Sequence, residues 1–254
     1  MNSPEGETGP RVCLVVPCYN EAQRLDTSGF NQFLQTHEDV RIVFVDDGSR
    51  DATRQILQQL CRENSRNTFF LALDSNRGKA EAVRAGVQYA LRNLQPEFVG
   101  YWDADLATPL NAVDDFVRVL RTTQVLMVFG ARIKLLGRYV ERRAVRHYLG
   151  RVFATTVSVM LRLPIYDSQC GAKLFRVNAA AHSVFADPFL SEWVFDVEIL
   201  ARYLNILDRD PGKLAESIYE YPLERWVDVA GSKIHPGDFM RAFVDVVRIR
   251  RKYL

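Results

Sequence analysis

Val12-Cys13-Leu14-Val15-Val16-Pro17-Cys18-Tyr19-Asn20-Glu21 begins as an unbroken apolar run and ends in a polar turn. Such a run, without the alternation of a half-solvated strand, is the pattern of a strand covered on both faces. Arg41 to Val45, Thr68 to Leu73, Phe98 to Trp102 and Val125 to Phe129 repeat it. Between them, Glu21 to Gln35, Ala52 to Arg62, Ala80 to Leu94 and Asn111 to Arg121 carry apolar residues at helical spacing, with Asp51 and Thr108-Pro109 as entry signals. Strands and helices alternating over short links predict an α/β fold with a mostly parallel, doubly wound sheet flanked by helices. Further on, helices are expected at Val140 to Leu161 and Phe195 to Leu207, a strand at Ser217 to Tyr221, and a last helix from Gly237 to about Arg251.

At 254 residues, 48% hydrophobic and 25% charged, the chain is an ordinary globular one, neither a disulfide scaffold nor a disordered polymer. We expect a mobile tail over 1–10, a single domain over 11–235, and an amphipathic helix over 236–254 packed on the domain or on a membrane surface. The balance of 33 Lys+Arg against 31 Asp+Glu is too even for a surface devoted to nucleic acid. The charge is local instead: Arg132 to Arg151 holds seven basic residues against Glu141 alone. Cys13, Cys18, Cys61 and Cys170 lack metal-ligand spacing and read as reduced thiols. No segment has the roughly 20 apolar residues that span a bilayer. Phe239, Phe243, Val246, Val247 and Ile249 lie on or near one side of the last helix, with Arg248, Arg250, Arg251 and Lys252 at its end, so peripheral membrane contact is expected.

The ends of the strands carry the chemistry. Glu21 follows the first, Asp46-Asp47-Gly48-Ser49 the second, and Asp103-Ala104-Asp105 the fourth. In an open parallel sheet, the carboxyl ends of the strands border the ligand crevice. Asp103 and Asp105 suit a hard divalent cation shared with substrate phosphates. Asp46-Asp47 would equally serve as turn acids beside the helix near Asp51. Asn76-Arg77-Gly78-Lys79 offers cations and backbone N–H groups to an anion at a helix start. No glycine-rich phosphate loop follows either early strand, which argues against a nicotinamide or P-loop enzyme. Ser168-Gln169-Cys170-Gly171 and Ala230-Gly231-Ser232-Lys233 read as flexible polar turns, and Glu192-Trp193 with Asp196 to Glu198 could equally be helix-packing residues.

Taken in order, Pro17-Cys18-Tyr19-Asn20-Glu21, Val45-Asp46-Asp47-Gly48-Ser49, Asn76-Arg77-Gly78-Lys79, Asp103-Ala104-Asp105 and Gly130-Ala131-Arg132 resemble the inverting family 2 glycosyltransferases with the GT-A fold. Asp167 to Phe175, Glu192 to Glu198 and Gly231-Ser232-Lys233 resemble the polyprenyl-phosphate branch, the dolichyl-phosphate glucosyltransferases being nearest. The resemblance implies that Pro17, Tyr19, Glu21, Val45 and Asp47 hold the nucleoside, and that Lys79 and Ala104 contribute to the nucleotide-sugar site. Asp103 and Asp105 would bind Mg²⁺ or Mn²⁺ with the diphosphate, Lys233 would meet donor phosphate, and Arg132 and Arg146 the acceptor phosphate. Ala107 stands where mannosyl relatives place a polar side chain able to join the metal. The implied reaction moves a hexose, glucose from UDP-glucose, onto polyprenyl or dolichyl phosphate at the cytoplasmic face of a membrane. A GDP-mannose donor, a soluble acceptor, or a non-catalytic nucleotide-sugar or membrane-surface module are the alternatives left open.

Overall fold

The structure is a computed structural model that describes residues 11–141, 144–229 and 236–254, without the side chains of 144–149 and 236–240. The expected tail over 1–10 lies outside the described residues. Strand β1 (Val12–Cys18) is followed by α1 (Thr27–Thr36), β2 (Val40–Asp46), α2 (Thr53–Glu63), β3 (Thr68–Ala72), α3 (Lys79–Asn93), β4 (Phe98–Trp102), α4 (Ala112–Thr122) and β5 (Met127–Ala131). Then come β6 (Tyr139–Glu141), α5 (Ala144–Leu161), β7 (Ala172–Arg176), α6 (Ala179–Val184), α7 (Phe195–Ile206), α8 (Pro211–Glu216), β8 (Ile218–Pro222), β9 (Arg225–Val227) and α9 (Pro236–Tyr253).

The main sheet runs β3-β2-β1-β4-β7-β5-β8. All neighbours are parallel except β7, which lies antiparallel between β4 and β5. Strand β1 shows why the apolar runs are unbroken. Val12, Leu14 and Val16 face α1, α2 and α4 in one core, while Cys13 and Val15 face α3 and α7 in the other. Each residue of a twice-covered strand is buried whichever way it points, and each Val or Leu so covered contributes about 1.5–3 kcal/mol. Strand order reverses at β1, which pairs with β2 on one side and β4 on the other. The crevice of a doubly wound sheet opens at that reversal, so residues after β1, β2 and β4 meet there.

Several elements differ from the sequence reading. The first helix starts at Thr27, because the Asp26 side chain accepts the Gly29 N–H and caps it, leaving Glu21 in a tight turn closed by the Arg24 and Leu25 N–H groups. The expected helix over Val140 to Leu161 begins at Ala144, since residues 139–141 pair with β9. Strand β7 was not assigned from the sequence, for Lys173 within it interrupts the apolar run. The last helix also turns differently from the expectation: Val246 and Ile249 are core residues and Phe243 packs on Phe153, whereas Val244 and Val247 reach solvent beside Arg241, Arg248 and Arg251. Phe239 has its side chain outside the described residues.

Candidate active site

A cleft of about 540 Å³ lies over the carboxyl ends of β1, β2 and β4, walled by the 166–171 turn, the residues before α7, and one side of α5. Pro17, Tyr19, Glu21, Asp47, Lys79, Asp103, Ala104, Asp105 and Arg132, widely separated in sequence, all line it. Val45 does not. Its side chain is fully buried in the core against α3, so any part in holding a nucleoside passes through its neighbours rather than its own surface. Arg146 belongs to α5, but its side chain lies outside the described residues, as does all of Lys233.

The turn after β1 is held by reciprocal bonds to the turn after β2. Asn20, at φ 50°, donates its N–H to Ser49 Oγ at 3.0 Å and accepts the Arg50 N–H at 2.9 Å, while the Glu21 N–H reaches Thr53 Oγ1 at 2.7 Å. Asp47 accepts the N–H groups of Arg77 and Gly78 at 2.8 and 2.9 Å. This corrects the reading of 76–79 as a free anion cradle: two of those amides are occupied by the protein's own carboxylate. Burial raises the Asp47 carboxyl above its ordinary range, the two amide bonds opposing it and the nearby Asp46 and Glu192 adding to it.

Asp103 and Asp105 stand at the end of β4. Lys79 Nζ lies 2.5 Å from Asp103 Oδ1, and Arg24 Nη2 lies 3.2 Å from Asp105 Oδ2 while its Nε lies 2.9 Å from Glu21 Oε2. Burial raises the Asp105 carboxyl, and the charge of Asp103 raises it further against the pull of Ala107 N–H, Arg24 and Lys79. Removal from water would lower the Lys79 ammonium, but Asp103, Asp196 and Asp105 outweigh it and hold it raised, hence charged. The two carboxylates therefore sit in a place that draws positive charge. Among the described residues no group of three or more His, Cys, Asp or Glu side chains is gathered as a cation site. Two carboxylate ligands with the remaining positions left to diphosphate and water is an arrangement Mg²⁺ or Mn²⁺ accepts, so the residues present fit such an ion.

The 166–171 turn, expected to be flexible, is held by hydrogen bonds on several sides. Asp103 donates its N–H to the Gly171 carbonyl at 3.0 Å, and a Cβ on Gly171 would collide with the Asp103 carboxylate. Asp167 takes the Arg132 guanidinium in a fork, Nε at 2.6 Å and Nη2 at 2.7 Å, with the Trp226 ring 5.3 Å below it. Burial would lower the Arg132 group, but Asp167 holds it raised and so permanently cationic. Arg132 is thus a fixed cation on the cleft wall. Glu220 supports the turn from behind, its carboxylate accepting the N–H groups of Tyr166 and Asp167. Arg151, Tyr166, Glu192 and Trp193 also line the cleft, and Arg151 stacks on Tyr166 at 3.9 Å. Arg24 and Arg151 were not singled out for the site by sequence. The i,i+3 spacing of Arg24 from Glu21 was the one local signal.

An open, mostly parallel sheet with paired carboxylates at its reversal point defines a GT-A-like α/β fold. The glycosyl transferase family 2 profile matches residues 13–183, and the chain belongs to that family. The dolichyl-phosphate beta-glucosyltransferase of Dictyostelium discoideum is 31% identical over 260 residues, spanning 96% of this chain and 75% of that protein. Its counterparts in Saccharomyces cerevisiae and Homo sapiens are 31% and 29% identical, each over 96% of this chain and over 75% and 76% of their own lengths. Among solved structures, glucosyl-3-phosphoglycerate synthase from Mycobacterium tuberculosis, in complex with Mn²⁺, UDP and glucosyl-3-phosphoglycerate, superposes with a TM-score of 0.68 at 16% identity, over 95% of this chain and 80% of that one. The complex with Mn²⁺, UDP-glucose and phosphoglyceric acid gives 0.68 at 15%, over 96% and 80%. That likeness is one of fold.

Proposed function

We propose that the protein transfers a hexose, glucose from UDP-glucose, to the phosphate of dolichyl or another polyprenyl phosphate, with inversion at the anomeric carbon. The observation that carries this reading is the pairing, in one cleft, of the Asp103–Asp105 carboxylates with the fixed Arg132 cation, in a chain 31% identical to two dolichyl-phosphate beta-glucosyltransferases over 96% of its length. Asp103 and Asp105 would hold Mg²⁺ or Mn²⁺, which when bound offsets charge on the departing diphosphate. Pro17, Tyr19, Glu21 and Asp47 frame the nucleoside end, and Lys79 and Arg24 keep the two carboxylates in place. Arg132, and Arg146 by position in the chain, orient the acceptor phosphate. A phosphate monoester has a second pKa near 6 and is already largely dianionic at neutral pH, so orientation takes precedence over general-base catalysis.

The acceptor is a lipid, and the outer faces of α5 and α9 supply a surface for its membrane. Val152 and Val159 on α5, and Val244 and Val247 among Arg241, Arg248 and Arg251 on α9, are exposed. Apolar side chains interleaved with arginines suit the boundary of an anionic bilayer. Among the described residues, no helix is long and apolar enough to cross one. Burial of Cys13, Cys18 and Cys170 as packed thiols fits a reducing compartment and therefore the cytoplasmic face. The test is a panel of nucleotide sugars assayed against dolichyl phosphate with Mn²⁺, recording the mass of product extracted into organic solvent. Glucosyl phosphoryl dolichol from UDP-glucose is the expected result. Transfer from GDP-mannose alone, or to water-soluble acceptors alone, would overturn it.

A further inference from the structure

Lys173 is fully buried, yet its ammonium touches no cleft ligand position. Its Nζ lies 2.7 Å from Asp196 Oδ1 and donates to the carbonyls of Cys170 at 2.6 Å and Ser168 at 3.2 Å. Two of the ammonium's three N–H donors are taken by those carbonyls, and the Asp196 carboxylate balances its charge at ion-pair distance. The rings of Tyr101 and Phe129 lie 5.6 and 5.5 Å away. Tyr101, directly opposite Lys173 in the β4–β7 register, donates its hydroxyl to the same Asp196 oxygen. A buried ion pair is a poor source of stability, since desolvation consumes most of its Coulombic gain and apolar residues of similar volume serve as well. What this pair does have is position.

Three elements converge on it. Strand β7 carries Lys173, β4 carries Tyr101 two residues before Asp103, and the first turn of α7 carries Asp196. The carbonyls of Ser168 and Cys170 belong to the turn whose next residue, Gly171, accepts the Asp103 N–H at 3.0 Å and abuts the Asp103 carboxylate. Displacing the turn displaces Asp103. The same Asp196 charge acts on Lys79, the partner of Asp103. Meanwhile Glu192 and Trp193, just ahead of α7, line the cleft, Glu192 against Gly78.

We infer that Lys173 and Asp196, with the Tyr101 hydroxyl, are a buried positioning pair that sets the 168–171 turn and thereby the Asp103 end of the cation and diphosphate site. The inference rests on the reading that Asp103 and Asp105 hold the cation. Both are positioning residues: Lys173 acts through two carbonyls, and Asp196, which borders the cleft, acts through Lys173 and through its charge on Lys79. Outer-shell partners of a metal ligand typically govern affinity by roughly ten- to a hundredfold, and that is the scale expected here.

The experiment measures Mn²⁺ affinity in the presence of UDP, by calorimetry or electron paramagnetic resonance, together with steady-state kinetics on the full chain. The first variant combines Lys173→Met with Asp196→Asn, removing both charges so that none is left buried alone. The second, Tyr101→Phe, removes one hydroxyl and keeps the fold. The double variant is expected to lose roughly ten- to a hundredfold in Mn²⁺ affinity, and Tyr101→Phe about two- to tenfold, the worth of one hydrogen bond. In both, kcat at limiting Mn²⁺ falls, excess Mn²⁺ restores it, and KM for dolichyl phosphate stays at the wild-type value. A merely structural role would lower the melting temperature without that Mn²⁺ rescue. Wild-type Mn²⁺ affinity in the folded double variant overturns the inference, as does wild-type affinity in Tyr101→Phe should the double variant not fold. Failure of the wild-type protein itself to bind Mn²⁺ with UDP overturns the cation site first, and is distinguished by that control.

Discussion

Gly171→Ala adds one methyl group at the point where the 166–171 turn meets the cation site. The added Cβ would lie 2.5 Å from Asp103 Oδ1 and nearer still to Oδ2, where ordinary contact needs 3.4 Å or more. The carboxylate must therefore retreat by more than 1 Å, and a misplacement of about 1 Å already costs roughly a hundredfold in rate, or about 2.7 kcal/mol of barrier. Stability responds differently. Gly171 does not occupy the left-handed backbone region, and the group in the way is the Asp103 carboxylate, whose move costs the partly exposed Lys79 pairing, worth at most about 1 kcal/mol. Reduced freedom of the unfolded chain adds back about 0.4–1 kcal/mol. The expected outcome is a variant with near wild-type melting temperature, a kcat lower by roughly two orders of magnitude, and weakened Mn²⁺ binding in the presence of UDP. Thermal melts, Mn²⁺ titration and turnover with UDP-glucose and dolichyl phosphate measure all three. A folded Gly171→Ala protein with wild-type kcat and Mn²⁺ affinity would refute the placement of Asp103 as a cation ligand backed by this turn.

Asp105→Asn removes most turnover, yet in EDTA at neutral pH it melts above wild type. The folded carboxyl is raised above its unfolded value, so the native state binds more protons between the two and loses stability as pH climbs through that window; a lower melting temperature for the variant at neutral pH would contradict this. Arg132→Ala withdraws the forked partner of Asp167, whose side chain is 6% exposed, and destabilises by about 3 kcal/mol. Adding Asp167→Asn recovers stability, read from urea melts, but leaves KM for the lipid phosphate raised; recovery of both would make the arginine purely structural. Vesicles rich in anionic lipid should float the protein at low salt and release it at high salt, and a charge-reversed α9 carrying Arg241→Glu and Arg248→Glu should not float.

The doubly wound sheet was legible because burial on both faces leaves a mark that needs no context: an apolar run without alternation, repeated between segments of helical period. Strand β7 escaped that test. Its sequence Ala172-Lys173-Leu174-Phe175-Arg176 places a charge inside a buried strand, and only the partners brought by α7 and by the 168–171 turn make a lysine tolerable there. The last helix shows the same limit from the other side. Periodicity indicated an apolar face, but whether that face met a membrane or the core depended on what packed against it, and Phe153 and α7 claimed it.

At the site, residue order alone determined that acids follow β1, β2 and β4, because strand ends are local features and the crevice rule turns them into neighbours. It determined the family for the same reason, several short motifs standing in one order along nearly the whole chain. The tertiary structure decided the pairings. Asp47 binds amides 30 and 31 residues ahead of it, Arg24 reaches across 81 residues to Asp105, and Arg132 is clamped by Asp167 from 35 residues away. Those choices arise from distances and burial set by the folded sheet, which spacing in a linear chain does not encode.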